Sequence, residues 1–150
     1  MSLITDLRAG AFFQDLPYSC LEKISTYCQE ETRQNQDIIF EEEAPAEKIY
    51  ILNEGAVAIQ VRLSKYQDII ISTIEEKGEL FGWSALVEPK KYSATVKCLK
   101  ETKVFSLSAD KLEQLFKDDP LMGFVFMKRI ACLIENRLSS MRNRLLSSIS

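Results

Sequence analysis

Between Thr32 and Leu107, hydrophobic and polar positions alternate in short runs rich in β-branched and aromatic residues, with turn signals at close intervals. A period of two sends successive side chains to opposite faces of an extended chain, so this stretch predicts an all-β roll or barrel. The predicted strands are 37–41, 48–52, 56–63, 68–74, 92–98 and 102–106. Asn53-Glu54-Gly55 predicts a hairpin turn with glycine at the position that needs a positive φ. Ala44-Pro45-Ala46 breaks the pair before it, because proline has no ladder donor.

On both sides of this stretch the period becomes helical. Residues 3–8 predict a short helix ended by Gly10, followed by an apolar plug of Phe12, Phe13 and Leu16. From Pro17, the residues Cys20, Leu21, Ile24, Tyr27 and Cys28 recur at helical spacing and predict an amphipathic helix to about residue 28. Ser108 is an N-cap for a helix with an apolar stripe of Leu112, Leu115 and Phe116, which Asp118-Asp119-Pro120 ends.

Pro120 opens a long helix with two apolar lines. Met122, Phe126, Ile130 and Leu133 form the line expected to pack on the roll. Met127, Ala131, Ile134, Leu138, Met141 and Leu145 step alternately by four and three, the a/d spacing of a coiled-coil seam. The seam continues past Leu138, where no further chain exists to cover it, so it predicts a homodimer through the C-terminal helix at about 120–146. Lys128, Arg129, Arg137, Arg142 and Arg144 are scattered round this helix and read as a solvated face.

Composition narrows the function classes. With 150 residues, 46% hydrophobic, the chain has the makings of one globular domain, 1–150, with a real core. A formal charge of −3 gives no global attraction to nucleic acid. No apolar run reaches membrane-spanning length and no secretory signal pattern is seen, which predicts a soluble cytoplasmic protein without membrane contact. Cys20, Cys28, Cys98 and Cys132 lack metal-ligand spacing and read as reduced core thiols. The chain contains no histidine. That absence removes His-based acid–base and nucleophilic catalysis, most catalytic zinc sites and the usual metal site of a cupin barrel, so a non-enzymatic protein with no metal and no cofactor is expected.

The most informative stretch is Gly78-Glu79-Leu80-Phe81-Gly82-Trp83-Ser84-Ala85-Leu86, followed by Tyr92-Ser93-Ala94-Thr95-Val96. Gly82 allows close backbone approach, and the first N–H groups of a helical turn after it have no internal acceptors, which makes the turn an anion site. The stretch resembles the phosphate-binding cassette of the cyclic-nucleotide-binding domain family, Phe-Gly-Glu-x-Ala-Leu, a short loop, then Arg-x-Ala-Thr or Ser. Phe81, Gly82, Ala85, Leu86, Ala94 and Thr95 match that pattern. Trp83 stands at the family's glutamate and Tyr92 at its arginine. Residues 48–57 resemble a second signature, an apolar strand, a glycine turn and a small-apolar restart.

The resemblance, to Crp/Fnr-like effector domains in particular, covers about residues 10–146. It implies a mainly β fold, a double-stranded β-helix or jelly roll at about 32–107, with N-terminal helices and a long C-terminal helix. The helix-turn-helix that follows in the family's bacterial transcription regulators is missing from this sequence, so no direct DNA binding is expected.

The ligand-binding residues implied are Phe81, Gly82, Trp83, Ser84, Ala85, Leu86, Tyr92, Ser93, Ala94 and Thr95. In the family the arginine pairs with the cyclic phosphate and the glutamate accepts from the ribose; Tyr92 has no charge and Trp83 no acceptor. Each lost bond to a charged group removes about 1.5–3 kcal/mol, so together they weaken a family-like affinity by roughly a hundred- to ten-thousand-fold.

Three arrangements stay open from sequence. Lys90, Lys91 or Lys97 supplies a substitute cation; a nucleotide-like or flat aromatic ligand stacks between Trp83 and Tyr92; or Trp83 fills the pocket of a ligand-free module that binds a partner protein. The first class of function is a regulatory domain sensing a small molecule other than, or more weakly than, cAMP and cGMP. The second is a dimerisation or interaction module.

Overall fold

The computed structural model describes residues 3–149. Three short helices lead the chain: α1 (Leu3–Arg8), α2 (Ala11–Gln14) and α3 (Tyr18–Ser25). Eight strands follow: β1 (Gln29–Arg33), β2 (Ile38–Phe40), β3 (Lys48–Glu54), β4 (Val57–Ser64), β5 (Gln67–Ile74), β6 (Leu80–Phe81), β7 (Thr95–Cys98) and β8 (Thr102–Ser108). A 3-10 turn at Trp83–Leu86 separates β6 from β7, and α4 (Ala109–Asp118) and α5 (Pro120–Ile149) close the chain. The fold is therefore mainly β with flanking helices, as the alternation of residues 32–107 predicts. The chain falls into two compact units that divide inside α4, between Gln114 and Leu115.

In the first unit the strands form two four-stranded antiparallel sheets, ordered β1-β8-β3-β6 and β2-β7-β4-β5. Their facing side chains make one core from Ile39, Tyr50, Leu52, Val57, Ile59, Ile74, Phe81, Val96, Cys98 and Val104. Ile49 and Ile51 occupy the alternate positions of β3 and are also fully buried, because this strand is covered on both faces. The predicted turn joins β3 to β4, with Gly55 at φ 111°, but it is not a hairpin: β3 pairs with β6 and β8 and β4 with β5 and β7, so the turn carries the chain from one sheet to the other.

Several boundaries move for physical reasons. β1 escapes the pattern because its sequence QEETR has no apolar residue; it is held by pairing with β8. The apolar plug folds as α2, with Phe12, Phe13 and Leu16 buried. The third helix ends at Ser25, and Tyr27 and Cys28 lie beyond it. Residues 92–94 are not strand, because the backbone of Tyr92 bonds the 43–44 loop instead: its N–H donates to the Ala44 carbonyl at 3.0 Å and its carbonyl accepts from Glu43 N at 2.8 Å.

The thiols do not behave alike. Cys98 is buried and Cys20 and Cys28 half-buried, with burial pushing the Cys28 thiol up to about 12, but Cys132, expected in the core, is exposed. Its neighbours on α5 explain this: the helix buries one face only.

The second unit holds the end of α4 and α5. Asp119 accepts from the backbone N–H of Met122 at 3.2 Å and so caps α5, with Pro120 in the first turn where a missing N–H costs nothing. Met122, Phe126 and Ile130 of the first apolar line are buried and Leu133 half-buried. The Phe126 ring lies 5.1 Å from that of Phe116. The sequence ends in Ser147-Ser148-Ile149-Ser150, of which Ser150 lies outside the described residues.

Candidate functional site

β6 sets the start of the cassette. It pairs with β3 in the register Tyr50 to Phe81 and Ile51 to Leu80, which buries Phe81 in the roll. The chain then reverses at Gly82, whose φ of 81° and ψ of 25° are left-handed and strained for any residue with a Cβ. The turn Trp83–Leu86 follows, anchored by fully buried Ala85, whose N–H donates to the Gly82 carbonyl at 3.3 Å. Trp83, Ser84 and Leu86 are half-buried. The backbone of this stretch is thus a left-handed glycine followed by one turn anchored on a buried alanine.

The side-chain half of the cassette is built differently. Tyr92 is 5% exposed. Its ring stacks on Phe40 with centroids 3.7 Å apart and planes 12° from parallel. Its hydroxyl donates to the Lys48 carbonyl at 2.6 Å and receives the Lys48 N–H at 3.4 Å. Phe40 in turn lies 5.8 Å from Tyr50 and 6.2 Å from Phe81, and Tyr50 stacks on Phe81 at 5.6 Å. Four rings therefore form one cluster where β2, β3 and β6 meet the end of the cassette loop. Burial raises the Tyr92 phenol above its ordinary value and pushes that of Tyr50 up to about 12, so both are neutral at physiological pH.

The side of Gly82 on which a Cβ would stand is closely packed. A Cβ built there would lie 3.2 Å from Phe40 Cε2 and 3.4 Å from both Tyr50 Cδ2 and the Lys48 carbonyl. The ring of Tyr92 faces Phe40 and is nearly all covered, so it is a wall of the core rather than an open platform for a flat ligand.

The cassette loop also commits one of the three lysines. Lys90, at φ 58°, donates from Nζ to Glu113 on α4 at 3.1 and 3.4 Å, and Glu88 lies 4.0 Å away. The hydrogen bond it donates to the Glu113 carboxylate holds its ammonium above the ordinary lysine value. The Lys90 carbonyl accepts from Ala46 at 2.8 Å, fixing the loop against the 44–46 segment. Lys91 is exposed beside its bridge to Pro45, and Lys97 lies half-buried on β7.

Ser93 is exposed and Ala94 buried, while the Thr95 hydroxyl accepts from the Glu42 N–H at 2.9 Å. Thr95 also borders a cavity of about 380 Å³ that sequence reasoning missed, lined by Ile38, Glu41, Glu42, Glu43, Gln60, Arg62 and Asp68. Four carboxylates face one guanidinium there, and Arg62 is itself engaged by Asp68 at 3.4 Å. The acidic run 41–43 forms one rim; its like charges are visible in the sequence, but its meeting with β4 and β5 is a product of the fold. A negative field disfavours an anionic ligand. Among the described residues no cluster of acidic, cysteine or histidine side chains is arranged to hold a metal, and no helix is long and apolar enough to cross a membrane.

The row of residues predicted as a dimer seam is exposed from Ala131 onward. Met127 is half-buried and Ala131 exposed, while Ile134, Leu138, Met141 and Leu145 are 37, 62, 41 and 62% exposed.

An eight-stranded antiparallel roll with a glycine-turn cassette after β6 and a long helix at its end defines a class of effector domain. The chain belongs to the cyclic nucleotide-binding domain family, whose model matches residues 30–119. Its fold is similar to a cyclic nucleotide-binding domain from Methylobacillus flagellatus KT, with a TM-score of 0.83 and 18% identity over 97% of this chain and 82% of that one. It is also similar to the catabolite activator protein of Thermus thermophilus, with a TM-score of 0.75 and 20% identity over 92% of this chain and 63% of that one. The anaerobic regulatory protein of Bacillus subtilis (strain 168) is 24% identical over 129 residues, 86% of this chain and 53% of that protein. The chain thus spans about half the length of this curated relative.

Proposed function

We propose that this chain is a non-enzymatic regulatory module in which the cassette has lost cyclic-nucleotide recognition and become part of the core, and which acts as a homodimer through α5. The observation that carries the reading is Tyr92. At the position where the family pairs an arginine with the cyclic phosphate, this chain has a neutral phenol, buried, stacked on Phe40 and bonded to the Lys48 carbonyl. Of the three lysines close to it in sequence, Lys90 is drawn away to Glu113. The closely packed flank of Gly82 and the carboxylates around the neighbouring cavity add to the same conclusion.

Regulation by contact is supported by the second unit. The exposed residues of the seam, Ala131 to Leu145, keep a/d spacing over about four turns, a pattern that a second helix covers best. A second reading, a sensor of a small molecule other than cAMP or cGMP, is favoured by the half-buried indole of Trp83 and the cavity beside Thr95.

Thermal-shift screening of the chain against cAMP, cGMP, cyclic dinucleotides and flat aromatic metabolites tests the assignment, because a ligand that binds only the folded state must raise its melting temperature. No shift is expected with cAMP or cGMP. A saturable shift with either would overturn the reading, and one with an aromatic metabolite would select the sensor.

A further inference from the structure

In the second unit an apolar groove of about 720 Å³ is lined by Phe116, Pro120, Gly123, Phe124, Met127 and Lys128. Its depth comes from Gly123: a Cβ there would lie 2.8 Å from Phe116 Cβ, so the helices touch at this point and leave no side chain to fill the hollow. On the same surface the Phe124 ring is 65% exposed, a large apolar group that water does not favour.

The position of Phe124 in the sequence is the second observation. It lies three residues before Met127 and seven before Ala131, so it extends the row of Met127, Ala131, Ile134, Leu138, Met141 and Leu145 by one turn. The groove therefore opens at the N-terminal end of the seam, and a helix laid along the seam reaches it without a change of direction.

We infer that the groove is the seat for Phe124 of a second copy of this chain, so that two Phe124 rings, each in the other's groove, anchor the dimer at the start of α5. One patch carries both a protruding ring and an apolar hollow, which is the self-complementarity an isologous two-fold contact requires. In a parallel pair of helices equal positions stand at equal height, which brings ring and hollow level. The single charge of the lining, Lys128, leaves the contact apolar at its centre. This inference rests on the proposed α5 dimer and adds its anchoring residue.

Sedimentation equilibrium of the full chain tests it with Phe124→Ala, Leu138→Glu and, as a control off the seam row, Leu146→Ala, which removes another exposed apolar side chain. Circular dichroism and Trp83 emission establish that each variant folds, as expected where the altered residue is mostly exposed. Truncating an anchoring aromatic weakens association about thirtyfold per ring, so Phe124→Ala, which removes both, raises the dissociation constant by about a thousandfold. Leu146→Ala leaves it unchanged. If Leu138→Glu gives monomers while Phe124→Ala dimerises like the unmutated chain, the groove is not the seat of Phe124 and the helix dimer stands. If the unmutated chain is already monomeric at high micromolar concentration, the dimer fails and the groove inference with it.

Discussion

Replacing Tyr92 by phenylalanine separates a structural from a ligand-binding role for the cassette. The change keeps the ring against Phe40 and removes only the hydroxyl that donates to the Lys48 carbonyl at 2.6 Å. That carbonyl lies at the start of β3, next to the Glu47 carbonyl that receives the first N–H of α4, so the bond ties the cassette loop to the entry of a central strand. A lost hydrogen bond with a partner left under-satisfied costs about 1–2 kcal/mol. In a chain of this length that lowers the melting temperature by roughly 2–8 °C.

Tyr92→Ala removes in addition the buried ring and its stack, and large aromatic truncations in a core cost about 3–5 kcal/mol. The two variants should therefore fall in order, the alanine variant losing a large part of a stability that is only about 5–15 kcal/mol in total. Urea unfolding followed by circular dichroism reads both, with the slope checked for constancy. A Tyr92→Phe variant with an unchanged midpoint, or an alanine variant less than about 1 kcal/mol below the parent, would refute the assignment of Tyr92 to the core.

Four further outcomes follow from the same geometry. Tyr50 is neutral well above the ordinary tyrosine range, because burial raises its folded-state pKa to about 12. An acid whose pKa is raised on folding is held protonated in the folded state, so stability is unaffected below about pH 10 and declines from there toward 12; Tyr50→Phe should flatten that alkaline decline, and an unaltered pH profile would contradict it. Gly10 abuts Gly78, where a Cβ would lie 2.5 Å from the Gly78 carbonyl carbon, so Gly10→Ala should destabilise by about 1–3 kcal/mol in urea unfolding. Trp83, the only tryptophan, is half-buried, so its emission should be blue-shifted and partly protected from iodide; solvent-like, freely quenched emission would show the indole outside the site. The double change Trp83→Glu with Tyr92→Arg restores both family side chains on an intact Gly82 turn but removes the Phe40 stack, so any cyclic-nucleotide binding it gains in calorimetry should come with a lowered urea midpoint; a gain at full stability would mean that Tyr92 was never structural.

The sequence and the structure agree where local chemistry decides. Alternating residues, the Asn53-Glu54-Gly55 turn, the Ser108 cap and Pro120 each act over a few residues, and the strands and helices they mark appear with their ends shifted in places. The cassette backbone was legible for the same reason, since Gly82 and Ala85 meet local steric demands. What the pattern could not carry was long-range. β1 has no apolar residue and exists through its partner β8. The substitutions at 83 and 92 were visible as departures, but the role of Tyr92 depends on Phe40, fifty-two positions earlier, and on Lys48, and nothing in those two residues alone marks them as its neighbours. The commitment of Lys90 to Glu113 and the meeting of the 41–43 carboxylates with Arg62 and Asp68 are likewise products of chain crossing.

Isothermal calorimetry of the unmutated chain with cAMP, and separately with cGMP, tests the central claim most directly. With the arginine replaced by a buried, hydrogen-bonded tyrosine and the glutamate by tryptophan, neither titration should give a dissociation constant below about the millimolar range, a loss of roughly 3–6 kcal/mol against micromolar family-like binding. Saturable low-micromolar binding of either nucleotide would contradict the account.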